Sequence, residues 1–375
     1  IQRHDSHERF SEIGCDIYTG GARFVSAHCI RVDDTELSAK RFVIATGSLA
    51  WIPDIEGIQS VNYLTNEDMF SLETRPEQLL ILGAGPVGVE VAQAYARLGS
   101  RVSLIEQAQR ILPRFDRDIS RQLKQQLLAD GVNIVHGAVE RVQQQGDVRT
   151  LVLDDGRELS GDQLLVAVGR RPAIEALGLE KAGVDFGENG IMVNARMQTS
   201  RRHIYACGDV TGLMPFTHVA EQQAGVVIAN AVFRIPKRMH YRVIPAVVYT
   251  EPECAQVGIG LEQSERDTSA RVIQFDMQQL DRAITDNTTR GLLKLVVRKG
   301  RIAGAHAIGQ HAGEIIHELA LAIQENMKLS KITTLVHAYP SYSQLNRRAA
   351  SQYYRDSLFS PFTKNLVKIL SRWLP

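Results

Sequence analysis

Gly83, Gly85 and Gly88 stand between a short apolar run, LLIL (79–82), and the segment VEVAQAYARLG (89–99). That spacing can hold a pyrophosphate. The first glycine permits a tight turn, the second lets the backbone approach the phosphates, and the third lets helix and strand pack closely. The phosphate then meets free N–H groups at the positive end of the helix. Ala84, Pro86 and Val87 lie between these glycines, and Glu90 falls in the segment that follows. Glu106 ends the next apolar run, RVSLIE, 18 residues beyond Gly88. A carboxylate there accepts a hydrogen bond from a ribose 2′-hydroxyl and repels a 2′-phosphate, which favours NAD over NADP. Arg101 and Arg110 keep NADP open, since either could reach a 2′-phosphate. The competing reading is a glycine-rich turn that binds nothing. Strand, helix and terminal acid in register weigh against it.

Alternating strands and helices must position this loop. LLIL is wholly apolar, as in a strand covered on both faces. The segment after Gly88 spaces its apolar residues by three and four and stops at Gly99, a helix-closing residue. DISRQLKQQLLADG (118–131) reads as a second amphipathic helix. VNIVHGAVERV (132–142), TLVLDD (150–155) and DQLLVAVGRRP (162–172) read as strands. The order β-α-β-α-β-β-β predicts an α/β unit with a parallel sheet. Residues 13–48 read as short strands, with alternating patches in CDIYTGGARFVSAHCIRV (15–32). GIMVNARMQTSRRHIYACGDV (190–210) also reads as strand, and THVAEQQAGVVIANAVF (217–233) as a long helix. After Pro236 the pattern becomes consecutive antiparallel strands over 244–258, 270–277, 291–299 and 301–309, then helices over 312–327 and 341–358.

Composition narrows the classes. With 43 Lys+Arg against 42 Asp+Glu, the 375-residue chain has no long-range field for nucleic acid. No run of 18 apolar residues appears. Cys15, Cys29, Cys207 and Cys254 are scattered without CxxC or CxxxxC spacing, which points to a reducing, cytoplasmic compartment and away from a Cys-rich metal site. Ile1 has no signal-like segment behind it, so the start reads as cut.

Further motifs occur in order: ATGS (45–48), GAGPVGVE (83–90), AVGRRP (167–172), CGDV (207–210), YTEPECAQVG (249–258), AGE (312–314) and HAYPSYSQ (337–344). To about residue 355 the chain resembles the class I pyridine nucleotide-disulfide oxidoreductases, which include dihydrolipoamide dehydrogenase, mercuric reductase and the soluble transhydrogenase. The resemblance implies an α/β fold: a Rossmann-like NAD domain inserted in a partial FAD domain, then an α+β dimerisation domain. The implied segments are 1–70 (FAD, first part), 71–192 (NAD(P)), 193–243 (FAD, second part), 244–358 (interface) and a tail, 359–375. It implies FAD contacts at Ala22, Thr46, Gly47, Ser48, Asp209 and Thr217. For NAD it implies Gly83 to Glu90, Glu106, Val139 and Gly169. Asp209 would accept from the ribityl chain, and Cys207 reads as a buried small hydrophobe. The family's first βαβ, with its own GxGxxG, and its CxxxxC pair have no match in the chain.

The resemblance also implies an acid–base pair near the C-terminus, a His in His-Pro-Thr held by a downstream Glu. Here Tyr339 and Gln344 occupy those positions. A phenol, with an ordinary pKa of about 10, is a poor base at neutral pH. His337 reads as a surface or core histidine. The implied function is an FAD-dependent NAD(P)H oxidoreductase, a homodimer through 244–358, passing hydride to an unidentified small-molecule acceptor. The alternative is an NAD-binding, dimerising module without flavin or catalysis. The tail SPFTKNLVKILSRWLP (360–375) could place Phe362, Leu366, Ile369, Leu370 and Trp373 on one face. Packing on its own dimer is the favoured reading of that helix, and a peripheral membrane contact the other.

Overall fold

The computed structural model describes residues 6–265 and 267–373. The chain falls into two compact units, 1–49 with 170–240 and 50–169 with 241–375. These group the chain differently from the five segments implied by its sequence, because the nucleotide segment and the antiparallel segment share a core. Ile81, Leu104 and Ile119 belong to the same buried cluster as Val248, Cys254, Leu292 and Ile308.

In the larger unit, four parallel strands order as Gln163–Val166, Gln78–Leu82, Arg101–Glu106 and Asn133–His136. Helices Pro86–Arg97 and Arg117–Ala129 form the crossovers between consecutive strands, the expected β-α-β-α-β order. Leu79 to Leu82 are all buried, which accounts for the unbroken apolar run. Gly99 and Gly131 both take left-handed φ, at 96° and 89°, just past the two helices. Val139–Gln145, Val148–Leu153 and Glu158–Gly161 form a separate antiparallel sheet. Beyond residue 241, five antiparallel strands order as Ala246–Val248, Glu253–Gly258, Arg301–Gly309, Leu292–Arg298 and Ala270–Asp276. Helices Ala312–Gln324 and Gln344–Leu358 bury Ile316, Leu319, Leu345 and Ala349 against it.

The smaller unit holds a three-stranded antiparallel sheet (Ala22–Ser26, Cys29–Val32, Thr35–Ser38) and a parallel pair, Phe42–Ile44 with Ile204–Ala206. Helix Thr217–Ala231 follows that pair. Two expectations fail here. Residues 15–21 form no strand, and a short helix, His7–Glu12, precedes them with Ser6 as its cap. Residues 190–210 are strand only at Gly190–Ile191 and Ile204–Ala206. Asn194 explains the interruption: its Oδ1 accepts from the Arg196 and Gln198 N–H groups, at 2.8 and 3.2 Å, and folds the chain into a turn.

One buried ion cluster ties the nucleotide segment to the five-stranded sheet within the larger unit. Lys294 Nζ donates to Asp116 Oδ1 at 2.9 Å and to Asp118 Oδ2 at 2.5 Å. Asp116 also caps helix Arg117–Ala129, accepting from the Asp118 and Ile119 N–H groups. Burial works against the Lys294 ammonium, but the two carboxylates outweigh it and leave the group above its ordinary value. The same hydrogen bond from Lys294 holds the Asp118 carboxyl below its ordinary range. A carboxylate depressed on folding stabilises above its unfolded pKa, and that contribution is lost as pH falls through the folded value. Lys294→Met leaves the Asp116 carboxylate, 6% exposed, without its cation. The expected loss in denaturant unfolding is about 3–5 kcal/mol at pH 7. The difference from the natural chain narrows once the pH drops below about 4, the ordinary carboxylate range.

Candidate functional site

The glycine loop sits where strand Gln78–Leu82 meets helix Pro86–Arg97, and each glycine has its own reason. Gly83 takes φ 103°, and a Cβ there would lie 2.6 Å from the Ala167 carbonyl. Its N–H donates to Ile105 O at 2.8 Å, fixing the turn to the neighbouring strand. Gly88 would place a Cβ 1.9 Å from the Gly83 carbonyl, so helix and turn touch backbone to backbone. Gly85 differs, because a Cβ there meets nothing within 4 Å. The bare backbone at Gly85 faces open space at the first turn of the helix, with Pro86 behind it and no side-chain cap on the helix N–H groups. A side chain at Gly85 would fill the space a phosphate needs.

Glu106 closes strand Arg101–Glu106 against this loop. Its Oε2 accepts from Ala84 N–H at 2.8 Å and its Oε1 from Ala108 N–H at 2.9 Å. The acid therefore holds the loop itself, and each oxygen keeps a lone pair for a ribose hydroxyl. Gly137 N–H donates to Glu106 O, bringing the start of strand Val139–Gln145 beside the acid. Val168 Cα lies 3.1 Å from the Cβ position of Gly83, which brings the approach to Gly169 alongside as well. Gly83 and Glu106 thus lie at the carboxyl ends of two neighbouring parallel strands, where open α/β sheets bind ligands. Val87 is 38% exposed at the loop. Glu90 accepts from Tyr249 N–H at 2.7 Å, and burial pushes its carboxyl up against that bond.

The two arginines that keep NADP open each have an acidic partner in the chain. Arg101 begins the strand that Glu106 ends, about 16 Å away at 3.3 Å per residue, and pairs with Glu77 at 2.8 Å. Arg110 donates to Pro113 O at 2.6 Å and to Glu262 at 3.1 Å.

The smaller unit assembles most of the predicted flavin residues. Ser48 Oγ donates to Asp209 Oδ2 at 2.6 Å, although the two are 161 positions apart. Arg170, absent from the sequence expectation, donates to Ser48 Oγ at 2.7 Å and to Ser48 O at 2.5 Å. Thr46 Oγ1 donates to Ala173 O at 2.8 Å. Gly47 takes φ 70°, a left-handed turn that favours glycine, with open space at its Cβ position. Asp209 follows strand Ile204–Ala206 through Gly208, whose N–H donates to Gln223 Oε1. Asp209 Oδ1 makes no hydrogen bond among the described residues, which leaves an acceptor for a polyol hydroxyl. Thr217 opens helix Thr217–Ala231, whose first N–H groups have no side-chain cap. Ala22 lies on the three-stranded sheet, paired with Val32. Burial pushes the Cys207 thiol up, and Cys254 up to about 12, so neither is poised as a thiolate.

Tyr339 and Gln344 differ sharply in environment. Tyr339 is 69% exposed, whereas Gln344 is buried with an unpartnered Oε1. His337 pairs with Glu318. Its Nε2 lies 3.2 and 3.3 Å from the Glu318 carboxylate, and its Nδ1 lies 3.2 Å from Leu335 O. Asn346 Nδ2 donates to the same carboxylate at 2.9 Å. His337 is thus a core histidine that latches the segment before Tyr339 onto helix Ala312–Gln324. Nothing in the spacing of Glu318 and His337, 19 positions apart, announces that pair.

Comparisons with known proteins agree with this architecture. Residues 6–224 match the family described as pyridine nucleotide-disulphide oxidoreductase, and residues 244–350 match its dimerisation domain. The chain is 34% identical over 353 residues to a mercuric reductase of Lysinibacillus sphaericus, covering 92% of this chain and 65% of that one. It is 34% identical over 349 residues to a dihydrolipoyl dehydrogenase of Geobacillus stearothermophilus, covering 89% of this chain and 73% of that one. The Cu(II) complex of the HOCl-induced flavoprotein disulfide reductase RclA from Escherichia coli superposes with a TM-score of 0.88 at 28% identity, covering 93% of this chain and 82% of that one. The chain belongs to the pyridine nucleotide-disulphide oxidoreductase family. It spans between 56% and 65% of the length of the mercuric reductases of L. sphaericus, Bacillus cereus and Staphylococcus aureus.

The contact at Gly88 yields a direct test. Gly88→Ala forces backbone apart at the strand–helix junction and is expected to cost about 3 kcal/mol or more, read as a lowered denaturant midpoint. Gly85→Ala, with open space at its Cβ, leaves that midpoint unchanged.

Proposed function

We propose that this chain serves in a flavin-dependent NAD(P)H oxidoreductase that passes reducing equivalents to a small-molecule acceptor. The observation that carries this is the Gly83–Gly88 loop with Glu106 bonded to its Ala84 N–H. FAD, when bound, supplies a two-electron acceptor for hydride from the reduced nicotinamide and relays the electrons onward. The chain's own residues bind and orient. Gly85 and the N–H groups of helix Pro86–Arg97 receive the pyrophosphate. Glu106 accepts from the ribose 2′-hydroxyl and repels a 2′-phosphate, so NAD is the preferred nucleotide. The commitments of Arg101 and Arg110 support that preference. Asp209, oriented by Ser48, accepts from the ribityl chain of FAD.

The acceptor is one that needs no protein base for a thiol. Tyr339 supplies a phenol where the dithiol-reducing members resembled above carry histidine, and His337 is bonded to Glu318. The match to the dimerisation domain supports a homodimer through 244–358. Four unpaired cysteines suit a reducing compartment such as the cytoplasm. The test is the visible spectrum of the purified protein, followed by steady-state oxidation of NADH and NADPH with lipoamide, a quinone or Hg(II). Flavin bands, a preference for NADH, and turnover with quinone or Hg(II) well above that with lipoamide are expected. A colourless protein that still binds NADH would instead mark a nucleotide-binding, dimerising module. Fast lipoamide reduction would refute the role given to Tyr339.

A further inference from the structure

Helix Pro361–Trp373 takes no part in the sites above. Among the described helices of twelve residues or more, it separates apolar from polar side chains most sharply. At 3.6 residues per turn, Phe362, Leu366, Ile369 and Leu370 share one arc, and Lys364, Lys368 and Arg372 share the opposite one. The side chain of Trp373, assigned to the apolar face from sequence, lies outside the described residues. The apolar arc is open to solvent: Phe362 is 77% exposed, Leu366 43%, Ile369 54% and Leu370 50%. Leu358 and Phe359, 60% and 65% exposed, carry it into the preceding turn. A 13-residue helix is marginal in water on its own. Such a helix calls for a surface that covers the arc.

The charges indicate which surface. Residues 359–375 contain Lys364, Lys368 and Arg372 and no Asp or Glu. None of the three cations forms an ion pair among the described residues. The preceding helix behaves differently, since its Asp356 pairs with Arg271 at 2.6 Å. Protein interfaces are depleted in lysine. An anionic lipid surface calls for the reverse, an apolar strip backed by uncompensated cations. No described helix is long and apolar enough to cross a membrane, so this one would lie in the interface plane.

We propose that helix Pro361–Trp373 docks the protein on an anionic lipid bilayer, with the Phe362–Leu366–Ile369–Leu370 arc in the acyl boundary and Lys364, Lys368 and Arg372 against the headgroups. The test is co-sedimentation of the 375-residue chain with phosphatidylcholine vesicles, with and without phosphatidylglycerol. Three variants accompany it: Lys364→Gln/Lys368→Gln/Arg372→Gln, Leu366→Ser/Leu370→Ser, and the chain without residues 359–375. Pelleting is expected with the anionic vesicles and only weakly with the neutral ones. Loss of three cations near an anionic surface should weaken partition roughly 100-fold. The serine variant and the truncated chain should stay in the supernatant. The charge variant alters only exposed side chains, so its result does not depend on the truncated chain folding. Equal pelleting of the charge variant and the natural chain would overturn the proposal, as would no pelleting of the natural chain. If the serine variant instead dissociates a dimer in sedimentation velocity and vesicles are not bound, the arc is covered by a second copy and the lipid assignment is wrong.

Discussion

The approach of helix Pro86–Arg97 to strand Gln78–Leu82 at Gly88 is the constraint on which the proposed nucleotide site depends. A methyl group at Gly88 would lie 1.9 Å from the Gly83 carbonyl, so the helix can start where it does only because that position has no side chain. That closeness aims the helix's first N–H groups at the space in front of Gly85. Glu106 then locks the loop from the next strand through Ala84 N–H. Turn, helix start and acid form one hydrogen-bonded unit before any ligand arrives, which lowers the ordering cost of binding.

Around that unit the larger body is braced by two different means. Apolar packing runs without a break from the parallel sheet to Val248, Leu292 and Ile308 of the antiparallel sheet. The Lys294–Asp116–Asp118 cluster adds a charged clamp, and Asp116 doubles as the cap of helix Arg117–Ala129. A buried ion pair adds little net stability over apolar packing, but losing one partner is costly. In the smaller unit the same logic acts on a single acid: Ser48 and Arg170 hold Asp209 from one side and leave its other oxygen available.

What was legible in the sequence was local. The glycine spacing, the buried run at Leu79–Leu82, Glu106 at a strand end and the closing glycines Gly99 and Gly131 all act within one or two turns of chain, so pattern and structure agree there. What escaped was set by side chains reaching across the sequence or back onto it. Asn194 bends an apolar stretch out of strand by bonding to its own neighbours. Ser48 meets Asp209, and Glu318 meets His337, through tertiary contacts that no spacing encodes. Arg101 stands at the opposite end of its strand from Glu106 and pairs with Glu77, a contact across 24 positions that the pattern does not encode. Tyr339 and Gln344 were located by resemblance alone, and the backbone between them points one to solvent and the other into the core.

The proposed nucleotide site turns on the space in front of Gly85, where a Cβ would meet nothing of the protein and would fill the room a pyrophosphate needs. Titration calorimetry of NADH into the chain carrying Gly85→Val tests it most directly, with the melting temperature measured alongside. Gly85 has φ −74° and ψ −173°, extended backbone that valine adopts without strain, so the melting temperature should not move. NADH binding should fall by about 100-fold or more, the loss of roughly 3 kcal/mol expected when a side chain fills the phosphate cradle. Undiminished NADH binding to a stably folded Gly85→Val chain would contradict the account.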